Sequence, residues 1–121
     1  MGLLPIVVHA MRKHPDHEDM QTAGCNLFQL LTAFEDDQKP FVMSSGAVPA
    51  TAEAGARFPG NLDLATFATI FLFFAAEDLM GISMPFATVD TVSVASTVEM
   101  MKIHSDDEDI QSHGTGLLAT L

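Results

Sequence analysis

Met20, Ala23, Gly24, Leu27, Leu30 and Leu31 recur at spacings of three and four, which places them on one face of a helix running over 18–34. The same alternation predicts long helices over 63–76 and from 108 to at least 121. A shorter helical stretch precedes each of them. In 46–58 a proline, Pro49, sits near the start, where a missing N–H does no harm, and Pro59 disfavours helix at Phe58. His14 and Pro15 end the first stretch in the same way. In the third copy Ser105 stands in place of proline, and Ser105 with Glu108 predicts a capping box ahead of Ile110, Leu117 and Leu118. Pro40-Phe41 and Pro85-Phe86 each predict one short helix entered at its proline. Only 89–98, with alternating β-branched residues, suggests a strand locally.

The helices repeat. Met11, His14, Asp16, Glu18, Asp19, Gln21, Gly24 and Leu27 return as Met101, His104, Asp106, Glu108, Asp109, Gln111, Gly114 and Leu117, at a constant offset of 90. A weaker copy lies midway: Gly2, Pro5, Ala10, Pro15, Asp19 and Thr22 return as Gly46, Pro49, Ala54, Pro59, Asp63 and Thr66. The spacing predicts three units, roughly 1–37, 38–78 and 79–121, and this register overrides the strand signal in 89–98. Gly24, Ala68 and Gly114 hold the same place on the long helices, where a small side chain lets two helices approach closely.

Taken together, Gly2-Leu3-Leu4-Pro5, Met11 to Pro15, and Met20-Gln21 with Gly24-Cys25 and Leu27 resemble the armadillo repeat family, over essentially the whole chain. The resemblance implies an all-α fold, a right-handed helical solenoid of about three armadillo-like repeats, whose long helices line a concave groove that grips a peptide or helix. In the nuclear-import receptors of that family a Trp and an Asn on each long helix clamp basic peptides. Here the Trp place falls at Asn26, Ile70 and Gly116, and the Asn place at Leu30, Phe74 and Thr120. Neither residue type is present where that clamp requires it. The six positions still define an expected strip, polar at its ends and apolar in the middle, suited to an amphipathic helix or apolar segment.

Charge narrows the partners. Sixteen acidic against five basic residues give a net charge of -11, which repels nucleic acid and anionic lipid and favours a protein segment with basic flanks. The apolar run 64–76 is too short to span a bilayer, which needs about 20 apolar residues; no transmembrane segment is expected. One cysteine and no visible targeting signal point to an intracellular setting, most simply the cytoplasm.

Three groups of residues invite chemistry and yield none. Asp106 to Asp109 with His104, and Asp16 to Asp19 with His14, have metal-ligand chemistry, yet carboxylates in a first helical turn are stabilised by the helix dipole and the repeat accounts for their recurrence. They lack the alternating ligands and central Gly of an EF-hand. Cys25 with His9, His14 or His17 could pair as nucleophile and base, but a lone helical Cys behaves as a small apolar residue. The aromatic cluster Phe67, Phe71, Phe73 and Phe74 belongs to a helix apolar nearly all round, which suggests a second interface. The expected role is therefore a non-catalytic interaction module or adaptor, with no metal or cofactor. The competing expectation is a structural subunit or fragment of a larger assembly, packed through apolar surfaces, since the chain stops at Leu121 within a helical pattern.

Overall fold

The computed structural model describes residues 3–34, 39–79 and 91–119. Among them the chain is all-α, with seven helices: α1 (Leu3–Lys13), α2 (Glu18–Phe34), α3 (Lys39–Ser44), α4 (Ala47–Arg57), α5 (Leu62–Leu79), α6 (Thr91–Ile103) and α7 (Glu108–Ala119). The medium-length helices pack in the order α1, α4, α6, and the long ones in the order α2, α5, α7. Each medium helix also packs on the long helix that follows it.

Three four-residue turns join these pairs, and they share one hydrogen-bond pattern. His14 N–H donates to Ala10 O, Phe58 N–H to Ala54 O and His104 N–H to Met100 O, at 2.9–3.0 Å. At the next step His17, Asn61 and Asp107 donate to His14, Phe58 and His104. Those same three residues then cap the long helices with their side chains: His17 Nδ1 accepts from Met20 N–H, Asn61 Oδ1 from Leu64 N–H and Asp107 Oδ1 from Ile110 N–H. The cap of α7 is thus Asp107 and not the box of Ser105 and Glu108. A cap must sit one residue before the helix and reach two or three residues on, and Ser105 is two residues too early.

The recurring Met, Gln and Gly act as one device. Gln21 Nε2 donates to Met11 O at 2.9 Å and His14 O at 3.0 Å, tying the start of α2 to the last carbonyls of α1. Gln111 repeats this on Met101 O at 2.8 Å and His104 O at 3.1 Å. Each bond contributes about 1 kcal/mol, and an orphaned buried carbonyl would cost more. Beside it the Met side chain lies across the small residue. A Cβ on Gly24 would stand 2.3 Å from Met11 Sδ, and one on Gly114 2.6 Å from Met101 Sδ. In the middle unit, Gly55 and Ala65 replace Met and Gln, and Met100 from α6 fills the space over Gly55, 3.0 Å from where a Cβ would be.

Helix α6 overrules the strand-like signal of 89–98. Its buried residues are Ser93, Ser96, Thr97 and Met100, at helical spacing, and α6 packs on α4, with Ser96 and Met100 beside Gly55. A hydrophobicity pattern misses a buried stripe made of Ser and Thr. The rest of the core is mostly apolar, with Gln21, Thr32, Thr51 and Thr69 buried in it, and centres on Phe28 and Phe71, whose ring centroids are 5.6 Å apart across α2 and α5. Helix α5 lies between α2 and α7, with α4 also against it, which accounts for its buried residues Leu64, Ala65, Ala68, Phe71, Leu72, Ala75 and Ala76. At the entry to α4, Gly46 adopts φ 89°, a conformation that side-chain-bearing residues rarely take. The short helix expected at Pro85-Phe86 lies outside the described residues.

Candidate protein-binding surface

The positions of the expected strip are spread over the three long helices: Asn26 and Leu30 on α2, Ile70 and Phe74 on α5, and Gly116 on α7. Thr120 lies outside the described residues. Their register explains their exposure. Cys25, Phe28, Ala68, Phe71 and Leu117 turn into the core and are buried, whereas Asn26, Ile70, Phe74 and Gly116 stay half-buried and Leu30 is exposed.

Around this strip the side chains are organised. Gln29 Nε2 donates to Asn26 Oδ1 at 3.0 Å, which holds the carboxamide at the α2 end. On the α5 and α7 side, Phe73 and Phe74 meet His113, with ring centroids at 5.6 and 6.2 Å in edge-on geometry. His113 Nδ1 lies 2.8 Å from Asp109 O; a carbonyl only accepts, so the ring proton is on Nδ1 and Nε2 is left as an acceptor. Gly116 is not an open lining position, because a Cβ there would fall 2.5 Å from Phe73 Cε1. Its role is to seat the Phe73 ring against α7.

Two contributors are absent from the strip that the sequence predicts. Phe34, 76% exposed, continues the four-residue spacing of Asn26 and Leu30 by one more turn, and extending that spacing would have found it. His113 carries no local signal, since its counterparts on the other long helices are Ala23 and Phe67. Only the packing of α7 on α5 brings it to the Phe pair.

The residues weighed for chemistry have structural partners. Asp16 Oδ1 accepts from Arg57 Nη1 at 2.8 Å, Glu18 Oε2 accepts from Asn61 Nδ2 at 2.6 Å, and His104 Nε2 lies 2.8 Å from Pro59 O. These contacts link the first turn to the second and the second to the third. Among the described residues no group of three or more His, Cys, Asp and Glu is gathered as for a metal ion. Cys25 is fully buried, and burial pushes its thiol up from 9.0 to about 12, the nearby Thr51 opposing this weakly.

No protein-family model, curated protein or solved structure matches the chain. No helix among the described residues is long and apolar enough to cross a membrane.

The buried thiol leads to a direct expectation. Cys25 in the folded chain resists alkylation at pH 8 and reacts when the chain is unfolded in denaturant. A thiol whose folded pKa is raised binds more protons folded than unfolded, so its contribution to stability is complete below 9.0 and is lost as the pH climbs towards about 12. Fast labelling of the native chain at pH 8 is the result that would contradict this burial.

Proposed function

We infer that the chain is a non-catalytic protein-interaction module, an armadillo-like solenoid that holds an amphipathic helix or apolar peptide along the strip formed by Asn26, Leu30, Ile70 and Phe74. The observation that carries this reading is the set of apolar side chains that α2 and α5 leave outside the fully buried core. Leu30 and Phe34 are exposed and Ile70 and Phe74 half-buried, whereas Phe28 and Thr32 on α2 and Phe71 and Ala75 on α5 are buried. These positions lie on α2 and α5, two long helices packed against each other, which suits the groove of a solenoid. A partner helix with apolar residues three and four apart would match them, and the acidic balance of the chain favours basic flanks on that partner. His113, with Nε2 free of the Asp109 contact, offers one acceptor for a donor on the partner. An intracellular setting accords with the single reduced cysteine.

Selection from a displayed peptide library against the chain tests the reading. The enriched sequences should carry apolar residues at i, i+3 and i+4 with Lys or Arg at one or both ends. Their affinity should fall by about tenfold or more for Phe74→Ala, as expected for an aromatic anchor, while circular dichroism shows the helicity unchanged. Peptides that bind a folded Phe74→Ala chain as well as the parent would move the interface off this strip.

A further inference from the structure

A cavity of about 110 Å³ opens between the first two units, beside the turn that joins α1 to α2. The chain has two arginines, and both line this cavity: Arg12 of α1 and Arg57 of α4. Glu53, one helical turn before Arg57, lines it too, as does Gln21 of α2, with Met11 and Ala54 among the apolar walls. The space is well below the roughly 300–1,000 Å³ of a drug-sized site and admits a molecule of a few heavy atoms.

The polar groups around it are not matched to one another. Arg12 Nη2 stands 3.6 Å from Glu53 Oε2, too far for a hydrogen bond, so neither side chain has a hydrogen-bonded partner among the described residues. Arg57 gives one N–H to Asp16 Oδ1 at 2.8 Å, which anchors its guanidinium and leaves its other donors open. Gln21 donates both protons of Nε2, to Met11 O and His14 O. That fixes the orientation of the amide and leaves Oε1, an acceptor on a side chain only 3% exposed, without a donor. A buried acceptor in this state is costly, and a donor that enters the cavity removes the cost.

The internal repeat shows what ordinary packing would place here. At the equivalent junction of the second and third units, Ala56 and Ile103 stand for Arg12 and Arg57, and Ala65 for Gln21. Met100 stands for Ala54 and lies over Gly55, 3.0 Å from where a Cβ would be. The second junction thus fills with a methionine the space that the first keeps open, and it lacks both guanidiniums and the amide as well. Room and polar groups occur together.

Their chemistry specifies the occupant. Two guanidiniums call for a carboxylate, which their planar N–H donors hold in pairs. Glu53 and Gln21 Oε1 call for donors, and Glu53 for a positively charged one. The charges of the set cancel, two arginines against Asp16 and Glu53. A phosphate would face Glu53 and a simple cation would face the arginines, whereas a zwitterion satisfies both sides.

We propose that this cavity binds a small α-amino acid, of the size of glycine, alanine or serine. Its carboxylate sits on Arg12 and Arg57, its ammonium group on Glu53 and Gln21 Oε1, and its side chain toward Met11 and Ala54. Bound there it touches α1, α2 and α4 and ties the first unit to the second. The site is separate from the strip on the long helices.

Calorimetric titration of the whole chain near neutral pH with glycine, L-alanine and L-serine tests it. At least one should bind 1:1 with a Kd of about 1 mM or lower, and acetate and methylammonium, each with half of the recognised groups, at least about tenfold more weakly. Arg12→Gln should weaken the amino acid about tenfold or more, and Glu53→Gln should bring it down to the level of acetate. Both side chains are exposed, so circular dichroism should show unchanged helicity. Phe74→Ala should leave amino-acid binding intact whatever it does to peptide binding. No saturable binding of any of the three by about 10 mM, acetate or inorganic phosphate binding as tightly as the amino acid, or unchanged binding by both Arg12→Gln and Glu53→Gln would overturn the proposal.

Discussion

Replacing Phe71 by Ala is expected to cost about 3–5 kcal/mol, because the ring is fully buried and the surrounding helices cannot collapse into its volume. Phe71 sits where α5 meets α2, with the Phe28 ring 5.6 Å away and tilted by 43°, and it belongs to the cluster that joins all three units. A domain of this size has about 5–15 kcal/mol in total, so the variant should populate unfolded chain or unfold at markedly lower denaturant. Urea titration followed by circular dichroism measures the loss. Phe28→Ala should cost a similar amount, and the double variant should show a coupling of about 0.5–1.5 kcal/mol between the rings. Phe73→Ala, half-buried against His113, should cost clearly less. A loss for Phe71→Ala below about 1 kcal/mol would mean that the contact between α2 and α5 is not the centre of the core.

Removing residues 114–121 is the second large effect. This deletes the second half of α7, including fully buried Leu117, and uncovers Leu72 and Ala76 on α5. Burial of a leucine contributes about 1.5–3 kcal/mol, and both Leu117 and Leu72 lose theirs. Gly114 and its fit with Met101 go as well. Because stacked units stabilise one another only through their nearest neighbours, α6 should lose order with α7 while α2 keeps its contact with α5. Thermal melting should shift down by more than about 10 °C. An unchanged melting temperature would show that the third unit contributes nothing to the stability of the first two.

Helical periodicity locates α2 to the residue, since its apolar face recurs at spacings of three and four, and the internal repeat locates the other long helices to within a few residues. The offset of 90 identifies Met, Gln and Gly as a recurring set, though not what they do. Their role needs the turn between the helices: only when α1 and α2 fold back does Gln21 reach Met11 O and does Met11 lie across Gly24. The strip positions come from the resemblance to armadillo repeats. Their spacing is readable along the chain, but the seating of Phe73 on Gly116 is not, because it depends on how closely α7 approaches α5.

The sequence by itself determined the helical class, the three-fold periodicity and the small residues at the contacts, because these follow from local steric preferences and from apolar spacing within one helix. Tertiary structure decided which Ser and Thr side chains are buried, Ser93, Ser96 and Thr97 of α6 among them. It also decided that His113 joins Phe73 and Phe74, and that Leu3 and Ile6 stay uncovered while Ala47 and Ala50 do not. The reason is physical. Burial is a property of the neighbour and not of the residue, and a repeated sequence places equivalent positions in the core of one unit and on the surface of another.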